Sequence, residues 1–239
     1  MTTIVGVKTT TGLDAIVLAA DYTKTTFYGA SGGNSINNAE SGKMKKLYCA
    51  RNFAFGFAGK MDLDHIGELW QKLKIKNKKN KNYIDVSEQL RNGYFEEIAM
   101  MNSIQTTMGD YIDSTAQTEF IFGTNEGDEL SLHHVSPLGA VTNFDNYVFS
   151  GSGSEYVEEY LEDAYDIRSL DGPSINLRKA VNLARKSIHL AKKDMYSGTE
   201  ILDFTIITKD SITYYGDNLR KKLKKFKNKE IKKIITSYH

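Results

Sequence analysis

Hydrophobic positions in the first sixty residues fall in short runs rather than at helical spacing. Ile4, Val5 and Val7, and then Ala15–Ala20, flank the polar turn Thr9-Thr10-Thr11-Gly12, which predicts strands over Ile4–Lys8 and Ala15–Ala20. The stretch Gly29-Ala30-Ser31-Gly32-Gly33-Asn34-Ser35, ending near Asn37-Asn38, is dense in turn formers and predicts a loop. Leu47–Ala50 and Phe53–Ala58 read as two more strands joined at Arg51-Asn52. The period then changes. Leu63, Ile66, Leu69, Trp70 and Leu73 recur at helical spacing behind Asp62, a capping residue, and Val86, Leu90, Tyr94 and Ile98 predict a second helix beyond the solvated Lys74–Lys81 connector. Strands are predicted over Glu119–Phe122, Leu130–His134, Gly139–Thr142 and Tyr147–Ser150. Two helices follow, at about Glu155–Tyr165 and Ile175–Lys193, the second with an apolar face of Leu177, Ala180, Val181, Ala184 and Ile188. Strands Phe204–Thr208 and Ile212–Tyr215, around a Lys209-Asp210 turn, precede a basic amphipathic helix over Asn218–Ile235.

Strands, two helices, strands, two helices, strands: each helix pair needs a sheet face on which to bury its apolar stripe. The economical solution is two stacked sheets with a helical layer outside each. No composition break marks a second domain, so the expectation is one domain over 1–239 with a basic extension at about 218–239. The 40% hydrophobic content supports a sizeable core. A formal net charge of +1 argues against overall nucleic-acid or membrane targeting, and no uncharged run approaches a membrane span or the apolar core of a signal peptide. The single Cys49 excludes an internal disulfide and fits a reducing compartment, which leads to a cytoplasmic expectation. The five histidines form no metal-ligand spacing with Cys49, so no metal and no cofactor is expected, and His133-His134 on a strand must point to opposite faces.

The first residues carry the candidate chemistry. A buried strand that begins at Ile4 fixes the chain start in space. With Met1 removed, Thr2 offers a hydroxyl and an α-amino group on one carbon skeleton, a nucleophile with its base attached. An ordinary first strand that happens to begin Met-Thr-Thr remains the competing reading at this point.

Several pieces then occur in a telling order: Thr2-Thr3-Ile4-Val5-Gly6-Val7-Lys8, Ala19-Ala20-Asp21, Lys45-Lys46-Leu47, Phe57-Ala58-Gly59, Gly151-Ser152-Gly153-Ser154 and Asp194-Met195-Tyr196-Ser197-Gly198. This series closely resembles the β-type subunits of the proteasome, and also the related bacterial ATP-dependent threonine protease, over about residues 2–216. The resemblance implies an α+β fold, a four-layer α/β/β/α sandwich of the N-terminal-nucleophile hydrolase type. It implies a threonine endopeptidase with Thr2 as nucleophile, Lys46 as the active-site lysine and Asp21 as its acidic partner. Gly59 matches the oxyanion-hole glycine, and Ser152, Asp194 and Ser197 match the group that supports the threonine amine. Lys24, Met44 and Phe57 border the substrate pocket by the same likeness. The partners implied are unfolded polypeptide as substrate, proteasome α-type and other β-type subunits in a ring assembly, and a regulatory unfolding ATPase, with no nucleic acid and no membrane.

The sequence also departs from the family pattern. Thr23 stands where a basic residue is usual, the Thr9–Leu13 turn is long, and the stretch between Asp21 and Lys46 carries extra Gly- and Asn-rich residues. Lys43 and Lys45 are alternatives to Lys46. A non-catalytic ring subunit and a narrow-substrate amidase or transferase of the same fold are the rival functions. The basic tail, with Leu219, Leu223, Phe226, Ile231 and Ile234 among its lysines, is expected to dock on a neighbouring subunit, a nucleic-acid patch being the alternative.

Overall fold

The computed structural model describes residues 3–21, 23–28, 38–43, 45–50, 52–59, 118–126, 129–136, 140–165, 173–194 and 202–215. These form twelve strands and two α-helices. The strands are β1 (Thr3–Lys8), β2 (Ala15–Asp21), β3 (Thr23–Tyr28), β4 (Asn38–Lys43), β5 (Leu47–Cys49) and β6 (Phe53–Ala58) in the first part of the chain. Then come β7 (Glu119–Glu126), β8 (Glu129–Val135), β9 (Val141–Phe144), β10 (Tyr147–Gly151), β11 (Leu202–Thr208) and β12 (Ile212–Tyr215). The helices are α1 (Glu158–Ala164) and α2 (Leu177–Leu190).

Two five-stranded sheets, entirely antiparallel, have the orders β10-β1-β2-β11-β12 and β5-β6-β7-β8-β9. The alternation of side chains along β1 and β2 explains the stacking. Ile4, Ile16, Leu18 and Ala20 point to one face and pack on Leu47, Ala54, Ala58, Ile121 and Leu132 of the second sheet. Val5, Val7, Val17 and Ala19 point to the other and pack on Val157, Leu161, Ile175, Ala180, Ala184 and Ile188 of the helical layer. Both faces of β1 and β2 are therefore buried, which is why these strands read as continuous apolar runs. Asn176 caps α2, its side chain accepting the Lys179 N–H at 2.9 Å. The α+β sandwich is the architecture expected, with its helical layer seen over the first sheet. The helices expected near 62–98 and in the basic tail lie outside the described residues.

Three local differences have physical reasons. On either side of the loop expected from Gly29 to near Asn38, of which residues 29–37 lie outside the described residues, the chain forms a two-stranded ribbon for which no strand was expected, β3 paired with β4 from Thr23↔Lys43 to Tyr28↔Asn38. Neither Thr-Lys-Thr-Thr-Phe-Tyr nor Asn-Ala-Glu-Ser-Gly-Lys carries an apolar alternation, so backbone pairing defines these strands and hydrophobic period does not. β9 begins at Val141, two residues later than its apolar residues suggest, and its first three residues are exposed. The helix expected at about Glu155 divides into a 3₁₀ turn, Ser154–Tyr156, and α1.

Candidate active site

Asp21 is the last residue of β2 and Lys46 immediately precedes β5, so one belongs to each sheet. Both side chains are fully buried, and Lys46 Nζ donates to Asp21 Oδ1 at 2.8 Å. The same oxygen accepts the backbone N–H of Thr3 at 3.1 Å. The Thr3 nitrogen is the amide nitrogen of the Thr2–Thr3 peptide bond, so the pair is tied directly to the peptide that follows Thr2. Burial pushes the Lys46 ammonium below the ordinary lysine range, while the charge and hydrogen bond of Asp21 oppose that drop. A buried pair of this kind is costly to split, because either partner alone is an uncompensated charge.

Of the three lysines left open by sequence, Lys46 makes this pair. Lys45 Nζ instead sits 4.1 Å from the centre of the Tyr214 ring and 5.1 Å from that of Tyr48. Lys43 closes β4, and its side chain is outside the described residues, as is that of Lys24 in β3. Thr2, Met44 and Ser197 also lie outside them. Phe57 is 1% exposed and packs between Tyr48 and Phe120, presenting almost no surface of its own.

Gly59 follows β6 with φ of 134°, in the region that L side chains rarely adopt. Only glycine turns the chain there without strain, and the missing Cβ leaves its N–H open to close approach. Ser152 Oγ donates to Asp194 Oδ2, which joins the turn after β10 to the end of the α2 segment. Between them, Gly153 lies so close to β1 that a Cβ built on it would stand 2.5 Å from Thr3 Oγ1 and 2.6 Å from Ala191 Cβ. Its role as the seat of Thr3 is invisible in the Gly-Ser-Gly-Ser motif, which reads as a flexible turn.

Sequence reasoning missed Asp203. It is fully buried in β11, paired in register with Ala20, next to the Asp21↔Leu202 pair. Neither carboxylate oxygen has a well-formed hydrogen bond. Burial raises its pKa to about 6, against the weaker opposing pull of the Tyr214 hydroxyl, the Lys45 ammonium and the backbone amides of Leu47 and Lys46. The available signal was one acid in an otherwise apolar and Thr-rich strand, Leu-Asp-Phe-Thr-Ile-Ile-Thr.

A family model described as "Proteasome subunit" matches residues 1–207. The chain belongs to the proteasome subunit family. Its similar relatives specify the β type. The proteasome subunit beta of Nanoarchaeum equitans is 25% identical over 87% of this chain and 94% of its own length. Proteasome subunit beta 1 of Saccharolobus islandicus is 28% identical over 84% of this chain and 82% of its own length. Proteasome subunit beta 2 of Thermococcus onnurineus reaches 33% identity over a shorter stretch, 36% of this chain and 40% of that protein. As a proteasome β-type subunit, the chain has the N-terminal-nucleophile fold, and its family implies assembly with other proteasome subunits. The residues beyond 207, including the basic tail, are outside the family match.

Proposed function

We propose that the chain is a catalytic β subunit, a threonine-type endopeptidase that cleaves unfolded polypeptides inside a self-compartmentalised proteasome core. The observation that carries this reading is the fully buried Lys46–Asp21 pair, whose shared oxygen also holds the Thr3 N–H. A ring subunit that only builds the assembly gains little from a buried ion pair, since apolar residues of similar volume are as stabilising or more so.

In the proposed reaction, Thr2 Oγ attacks the carbonyl carbon of the scissile peptide. Its proton passes to the Thr2 α-amine, through a water. A free α-amino group titrates near 7.7–8.0 on the reference scale, close to working pH. The Lys46 ammonium, held by Asp21, disfavours a second positive charge beside it and so lowers the amine's affinity for its resting proton. The Gly59 N–H stabilises the oxyanion of the tetrahedral intermediate. Collapse breaks the C–N bond, the departing amine takes the proton, and the acyl group stays as an ester on Thr2. Water, deprotonated by the same amine, then hydrolyses the ester. Ser152, Asp194 and Ser197 orient the amine. Met1 must first be removed, because an acylated nitrogen is an amide and cannot act as base. Lys24 and Met44 border the pocket for the residue before the cut, whereas Phe57, buried between Tyr48 and Phe120, is not available to it. The subunit acts in the cytoplasm, in a ring with α-type and other β-type subunits, fed by an unfolding ATPase.

A panel of fluorogenic peptides, offered to the assembled particle, separates this reading from its rivals. Hydrolysis of several unrelated peptides is the expected result. Silence with every peptide would support a structural ring subunit, and acyl transfer to added amines with little hydrolysis would support a narrow-substrate transferase.

A further inference from the structure

A second polar cluster crosses between the sheets, on the side of β1 away from β2. Ser150 of β10 donates its hydroxyl to Glu119 Oε2 of β7 at 2.6 Å. His134 Nε2, on β8, lies 3.1 Å from the same oxygen. The Ser150 residue is 4% exposed. Ser150 faces Ile4 in the β1–β10 register, one step from the Thr3↔Gly151 pair. Glu119 faces Ala58 in the β6–β7 register, one step from Gly59. The cluster thus joins the strand that seats Thr3 to the strand that ends at the glycine with φ of 134°. The hydrogen bond from His134 is the main influence holding the Glu119 carboxyl below the usual range; the Ser150 bond adds to it and burial opposes it. Glu119 therefore stays ionised as a two-fold acceptor.

This cluster is not a nucleophilic triad. Hydroxyl and imidazole meet the same carboxylate oxygen, so the imidazole is bound to the acid and not to the hydroxyl it would have to deprotonate. We propose that Ser150, Glu119 and His134 form a cross-sheet clamp that fixes Gly59 relative to the start of β1, with Glu119 as a positioning residue. The catalytic consequence rests on the threonine-peptidase reading above. An oxyanion donor must meet the developing charge within a few tenths of an ångström, and a displacement of about 1 Å can cost roughly 100-fold in rate. The apolar contacts between the sheets resist separation but are non-directional, so a directed polar link sets the relative position of the two strand ends.

The test compares Glu119→Ala, Ser150→Ala and Glu119→Gln with the unaltered chain in the full assembly, by amide hydrogen exchange and by peptide kinetics. Glu119→Ala is expected to speed exchange in β1 and β6 about tenfold, while β11 and β12 keep their rates. It is expected to lower kcat about 10- to 100-fold with KM within about twofold. Glu119→Gln, which keeps an acceptor oxygen, should recover part of both. If Glu119→Ala does not fold, Ser150→Ala removes one hydroxyl only and is read the same way. Unchanged exchange in β1 and β6 would overturn the clamp. Faster exchange with unchanged kcat would overturn its positioning role. An unaltered assembly that hydrolyses no peptide would instead count against the peptidase reading, and the exchange data would still decide the clamp.

Discussion

Lys46 and Asp21 form a fully buried pair in which each charge depends on the other. Lys46→Ala leaves the Asp21 carboxylate buried with the Thr3 N–H but no cation, and should cost about 3–5 kcal/mol in stability. The double change Lys46→Met with Asp21→Leu removes both charges and should recover most of that loss while peptide hydrolysis stays abolished. Denaturant unfolding of the two variants checks the first half, and a fluorogenic assay the second. Asp203 makes a separate prediction. Its pKa of about 6 exceeds the ordinary aspartate value of 3.8, so the native chain binds more protons than the unfolded chain between those values. Stability contributed by this group is therefore present at low pH and lost as pH rises from about 4 to about 6, by on the order of 2–3 kcal/mol. Asp203→Asn cannot ionise. Its unfolding free energy should exceed that of the unaltered chain at pH 7 and should lack that fall, as pH-dependent denaturant titrations would show. A pH dependence identical to the unaltered chain would refute the assignment. The pairing of Lys46 with Asp21 was legible in sequence because a resemblance ordered them; Asp203 was not, because one acid on a strand is silent until the fold shows it buried beside Lys46.

Element by element, the apolar strands were legible because their two faces are buried in different layers. β1, β2, β6, β11 and β12 stand within two residues of their expected bounds. The polar ribbon β3–β4 was hidden, since its strands have no apolar period and its connection reads as a long loop. The 3₁₀ turn before α1 was hidden for a different reason: Gly153 is held against Thr3 and Ala191, and the close approach is tertiary. Gly153→Ala pushes a methyl into Thr3 Oγ1 at 2.5 Å and Ala191 Cβ at 2.6 Å, with the Ala191 backbone at 3.1 Å behind. The Ala191 backbone cannot move aside as a flexible side chain can, so the methyl should press on Thr3 and shift the start of β1. A loss of about 1–3 kcal/mol in thermal or denaturant unfolding is expected. Peptide hydrolysis should fall further than stability accounts for, because the shifted strand begins at Thr3.

At the scale of the whole molecule, the family match implies a subunit that assembles with other proteasome subunits. Native mass spectrometry with α-type partners present should show a ring-sized particle, and a species at the mass of one chain alone would count against the proposed core. The basic tail bears on this scale too. If the tail docks on a neighbouring subunit, its deletion after residue 216 should weaken assembly and leave isolated-chain stability nearly unchanged. The central claim is that Thr2 is the nucleophile, and it is tested most directly by the peptide-hydrolysis rate of the assembled particle carrying Thr2→Ala. Removal of the nucleophilic hydroxyl, with the α-amine left in place, should lower the rate by at least about 1,000-fold with the particle intact. Retained hydrolysis in Thr2→Ala, or full activity in material whose intact mass still includes Met1, would contradict it.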